Sequence, residues 1–164
     1  MMARYLALGQ RIQQELEEIE TTVDAVRRDW QTGQAEPAHR AAYTSSVALG
    51  LHRFYSDLEG VLALFAVEID GGALGGEAWH AYLLREMALE LAEVRPAVLE
   101  RSTAERLDEY RRFRHLTRNI YNVRLESARV TDLVEQLPQI WQKVQAELKL
   151  FIDFLRELAR ADQG

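Results

Sequence analysis

The spacing of apolar residues constrains this chain more than any other feature. They recur at intervals of three and four along almost its whole length, and no run alternates with a period of two between turn residues. Such a pattern buries one stripe per helix, so the expected fold class is all-α, an antiparallel up-down bundle of about five helices. The first stripe is Ile12, Leu16, Ile19, Val23, Val26 and Trp30, ending before Gly33 and Pro37. The second is Val47, Leu51, Phe54, Leu58, Val61 and Phe65, starting near Pro37 and ending at DGGALGG. Each rod spans roughly 40 Å at a rise of 1.5 Å per residue. A third helix is expected from about Glu77 to Glu93, because the residue preceding Pro96 is pushed out of the helical region. Ser102 and Glu105 have capping-box spacing, which starts a fourth helix near Thr103 and carries it to about Val123. From Val130 to Leu158 the pattern is again helical, with Pro138 either kinking the helix or opening a new one.

A chain of 164 residues, 48% of them hydrophobic, holds one domain's worth of core, and residues 1–164 read as a single domain without internal repeats. Its net charge of -6 argues against broad coating of nucleic acid but leaves room for a local anion site. The absence of cysteine removes disulfides, thiolate metal sites and cysteine nucleophiles. The opening MMARYLALGQRIQQELEEIE becomes charged too early for a signal-peptide core, and no apolar run reaches membrane length. A soluble, cytoplasmic protein without a membrane association is expected.

Several chemistries find no support. DGGALGG lacks the Lys-Ser/Thr pair and preceding strand of a phosphate loop and reads as a connector. His39, His52, His80 and His115 are scattered, with no helical metal spacing and no repeated Glu-x-x-His, so neither a metal nor another cofactor is expected. Ser45 and Ser46 have no recognisable base near them in sequence.

The fourth helix is different. Within FRHLTRNIY, residues 113–121, Arg114, Arg118 and Tyr121 fall on neighbouring turns of one side, with His115, Asn119 and Asn122 in the adjoining row. Phe113, Leu116, Ile120 and Val123 make its buried face, which leaves Arg111, Arg114, His115, Arg118, Asn119, Tyr121 and Asn122 on the opposite arc. No acidic residue lies between Glu109 and Glu126, so Arg111, Arg112, Arg114, Arg118 and Arg124 stand uncompensated in this stretch. A solvated basic face is the plain reading. A merely soluble face mixes Glu with Lys, however, whereas arginine forks with amide and phenol groups suit phosphate. Arg111, Arg114, Arg118 and Asn122 are therefore candidate RNA- or phosphate-binding residues. An ion pair with an acid of the second helix, Asp57 or Glu59, is the competing account of Arg114 and Arg118.

The motif, together with VALGLHRFYSDLEGVLALFA, GEAWHAYLLREM, VRPAVL and FRHLTRNIYNVRLE in that order, resembles the HepT-like ribonuclease family of the HEPN (higher eukaryotes and prokaryotes nucleotide-binding) superfamily. The likeness covers most of residues 40–160. It implies a HEPN-like helical toxin that works as a homodimer, its paired motif helices forming a metal-independent RNA-cleaving cleft, with an antitoxin partner. The family signature is Arg, four to six residues, His, one residue, Tyr. On this sequence Arg114 takes the Arg position, HLTR fills the gap, Tyr121 takes the Tyr position, and Asn119 stands where His is expected. Histidine is the natural group to move the proton of an attacking 2′-hydroxyl near neutral pH, whereas an amide orients but does not titrate. His115, one turn earlier on the same flank, is a substitute base, from the same subunit or from its partner. The catalytic candidates are thus Arg114, His115, Arg118 and Asn119. The resemblance also makes Tyr121 the candidate acceptor for AMP from a nucleotidyltransferase-type antitoxin, a bulky anion that would block the phosphate site. Two other readings use the same helix: a non-catalytic HEPN module binding RNA, a nucleotide or a protein, and a plain structural bundle or dimerisation domain.

Overall fold

Long apolar stripes become long helices. The computed structural model describes residues 2–72, 74–76, 78–118 and 127–162, and its elements are α1 (Met2–Ala35), a short 3-10 turn (Pro37–His39), α2 (Arg40–Glu68), α3 (Trp79–Met87), α4 (Arg101–Arg118) and α5 (Ser127–Ala161). The fold is all-α, a bundle of helices, with no strand among the described residues. No described helix is long and apolar enough to cross a membrane.

Helix α1 lies along α2 and α5, and α4 fills the opposite side against α2, α3 and α5. The core runs down the middle, through Ile12, Ile19 and Val26 of α1, Leu51, Phe54 and Leu58 of α2, Leu107 and Tyr110 of α4, and Leu137, Trp141 and Leu148 of α5. Phe54 meets Tyr110 and Trp141 edge to face, with ring centroids 5.4 and 6.1 Å apart, the orientation that the aromatic quadrupole favours. Close approach of the first two helices depends on glycine at Gly50, where an added Cβ would collide with Cγ2 of the buried Val26.

Two expected boundaries move, each because of a long-range contact. Helix α3 occupies only Trp79–Met87 of the expected 77–93 span. The backbone then reverses through a Leu91–Arg95 bridge, with Glu93 at φ 65°. Arg95 stabilises that reversal from inside: Nε and Nη2 donate to Asp70 at 2.6 and 2.9 Å, and Nη1 and Nη2 donate to the carbonyls of Leu89, Pro96 and Glu86 at 2.9, 3.1 and 3.2 Å. The Met87 carbonyl accepts from the N–H groups of Val98 and Leu99, so the helix end has partners without another turn. Helix α4 starts at Arg101, before the expected Thr103, and Ser102 lies inside it. Its N-terminus is capped from α5 rather than by a capping box: the Glu147 carboxylate accepts from the Glu100 N–H and, at 2.8 Å, from the Thr103 hydroxyl. Glu105 instead pairs with Arg101. Of the two alternatives for Pro138, the structure has it inside a single helix, α5. In the turn before it the Leu133 carbonyl accepts from the buried Tyr110 hydroxyl at 2.7 Å.

Candidate functional site

Three helices each place one polar side chain at a common junction: Glu59 from α2, His80 from α3 and Arg114 from α4. Arg114 lies four residues after Tyr110 and seven after Leu107, both buried, and so extends their stripe toward α2. Glu59 lies four residues after Tyr55 and three before Leu62 on the buried face of α2. The guanidinium grips the carboxylate with two arms, Nη1 to Oε1 at 2.9 Å and Nη2 to Oε2 at 3.0 Å, and both side chains are only 7% exposed. A planar fork against a planar carboxylate is the geometry in which such a pair best offsets its desolvation.

Two further neighbours line the seat of Arg114. Its guanidinium carbon stands 4.8 Å from the centroid of the Tyr55 ring, a cation–π contact, and Nη1 reaches the Ser56 hydroxyl at 3.4 Å. Burial, and next the Glu59 carboxylate, push the Tyr55 hydroxyl far above the usual phenol range, so this ring stays neutral beside the ion pair.

His80 occupies the outer edge. Its Nδ1 lies 2.9 Å from Glu59 Oε1 and 3.3 Å from Arg114 Nη2. Because a carboxylate only accepts and a guanidinium only donates, the arrangement assigns the hydrogen to Nδ1, donated to Glu59, and the Arg114 approach is then a neighbouring contact. In the neutral form of the ring, Nε2 then keeps its lone pair. Trp79 stacks on the imidazole at 3.7 Å between ring centroids, and the His80 side chain is 30% exposed.

The sequence-predicted residues fall out as follows. Arg114 was expected on the solvent-facing arc and is buried; the ion pair with Glu59, one of the two acids weighed for it, is what the structure contains. Arg111 and Arg112, expected to stand uncompensated, both bond Asp108 one turn earlier, at 2.6 and 3.0 Å, because helical spacing brings an acid before Glu109 within reach. They line a groove of about 750 Å³ between α3 and α4, together with Ala81, Leu84 and Arg85. His115 is exposed on α4. Arg118 is the last residue of α4, and nothing is described of its side chain; Asn119, Tyr121 and Asn122 lie outside the described residues, as does Arg124. Sequence reasoning weighed His80 only as a metal ligand and Glu59 only as a possible ion-pair partner. The signal available for Glu59 and Arg114 was a charge of each sign on an apolar stripe; His80 offered none, since it is brought in by the packing of α3.

A family model described as HepT-like protein matches residues 46–155, about two thirds of the chain. No curated protein and no solved structure matches it. The matched span contains α3, α4 and every residue of the Glu59–His80–Arg114 cluster.

Proposed function

The chain belongs to the HepT-like protein family, within the HEPN superfamily, and from that premise we propose that it is an RNA-cleaving toxin of a toxin–antitoxin pair, acting in the cytoplasm as a homodimer without a metal cofactor. The observation that carries the reading is that, inside the matched HepT-like span, the motif's arginine shares the Glu59 carboxylate with His80, a histidine that reaches solvent. In this reading Arg114 shapes the site. Its two arms are engaged by Glu59, so direct phosphate contact falls to Arg118 and Asn122, with Arg111 farther along α4. Fixed cations at the reacting phosphate stabilise the charge that builds on its oxygens as the 2′-hydroxyl attacks. Tyr121 is the AMP acceptor through which a nucleotidyltransferase antitoxin silences the cleft.

The test is incubation of the purified protein with single-stranded RNA in EDTA. Fragments ending in a 2′,3′-cyclic phosphate are expected, with cleavage lowered about 100-fold in Arg118→Ala. Sedimentation of a dimer is the accompanying result. The second reading, a non-catalytic HEPN module that binds RNA, a nucleotide or a protein partner, is favoured by Asn119 at the histidine position of the motif. RNA that is bound but left intact decides for it.

A further inference from the structure

We propose that His80, oriented by Glu59, is the proton-transfer residue of this protein and takes the place of the histidine that its α4 motif lacks. The inference rests on the ribonuclease reading above and names the catalytic group within it. Four observations converge on the imidazole. It lies 3.3 Å from Arg114, the arginine with which the motif begins. Its Nδ1–H is held at 2.9 Å by a carboxylate that is itself buried and clamped by that arginine. Stacking on Trp79 restrains the ring plane. The side chain nevertheless keeps 30% exposure, so a substrate has access to it.

This is the arrangement by which a carboxylate fixes the tautomer of a histidine and stabilises the imidazolium that forms during proton transfer. The other candidate base, His115, is exposed on α4, whereas His80 is held by a buried carboxylate. For RNA the step balances simply. Nε2 takes the proton of the 2′-hydroxyl, the O2′–P bond forms as the P–O5′ bond breaks, and the leaving 5′-oxygen takes up the proton, through water or from the imidazolium. Neutral imidazole and a 2′,3′-cyclic phosphate end are left.

A purely structural His80 would serve by donating to Glu59, and one substitution separates the two roles. In His80→Asn the side-chain amide nitrogen stands where Nδ1 stood and still donates to Glu59, but the residue no longer titrates. Cleavage of a mixed-sequence RNA oligonucleotide in EDTA is measured at saturating RNA for wild type, His80→Asn, His80→Ala, and His39→Ala as a surface control, with RNA affinity measured by filter binding. The expected result is a loss of about 100-fold or more in rate for both His80 variants, with affinity unchanged. Added imidazole returns part of the rate to His80→Ala. A His80→Asn protein that cleaves like wild type overturns the proposal and leaves the ribonuclease reading standing. A wild-type protein that leaves RNA intact overturns both. If His80→Asn does not fold, His80→Ala without recovery in imidazole overturns it.

Discussion

Among the described residues two arginines are buried on carboxylates, and they are built for different ends. Arg95 is a closed unit: its side chain has no exposure, and all five N–H donors end on Asp70 or on the carbonyls of Glu86, Leu89 and Pro96. Arg114 is an open one, because Glu59, which it clamps, also holds His80, and His80 reaches solvent. Both pairs carry the desolvation cost of a buried ion, so burial alone does not mark a functional site. The mark is a titratable, accessible group sharing the carboxylate.

Removing each arginine is the strongest way to break this comparison. Arg95→Ala strands Asp70 and takes the arginine's donors from three carbonyls at once, and is expected to cost roughly 4–5 kcal/mol, read as a lower midpoint in urea unfolding. Arg114→Ala is expected to cost less, roughly 3 kcal/mol, since Glu59 keeps the His80 Nδ1–H as a donor. It should also abolish RNA cleavage at temperatures where the variant is folded, whereas Arg95→Ala, held in its folded range, should keep cleavage. Equal activity losses in the two would erase the distinction between closed and open. Lysine substitutions sharpen it further: Arg114→Lys retains a charge beside Glu59 and should cost about 1–2 kcal/mol, while Arg95→Lys, unable to serve carbonyls on three sides, should approach the alanine value.

The smallest expected effect concerns a carboxylate that has no arginine. Glu147 caps α4, and burial, the largest influence, raises its carboxyl above the ordinary range, outweighing the Glu100 N–H and the Thr103 hydroxyl that favour its charged form. A raised value in the fold means that its contribution to stability is complete at low pH and is lost as pH rises through that value. Glu147→Gln keeps an acceptor for the Glu100 N–H without the charge. It should therefore match wild type near about pH 3.5 and exceed it slightly near about pH 7, the gain kept small by the water that screens this partly exposed carboxylate. Unfolding in urea at both pH values checks the sign.

The fold was legible in the chain where local pattern and packing agree. The stripes of α1 and α2 are buried as read, Ile12 to Val26 and Val47 to Phe65, because a helical period alone decides which face is apolar. Helix ends were legible only in part. The stop of α3 at Met87 and the start of α4 at Arg101 depend on Arg95 and Glu147, whose partners lie 25 and 47 residues away in sequence. The site divides in the same manner. Its cationic helix stood out from composition, but Arg114 was assigned to solvent because arginine seldom occupies a core position.

By itself, then, the sequence determined that the chain is helical, where its long rods run and that its family is HepT-like, since these follow from residue spacing and ordered motifs. Only the tertiary structure decided that Arg114 turns inward onto Glu59 and that His80 joins them. The reason is physical: a charge on an apolar stripe is tolerated only where another helix supplies its counter-charge, and that meeting is set by packing across the bundle.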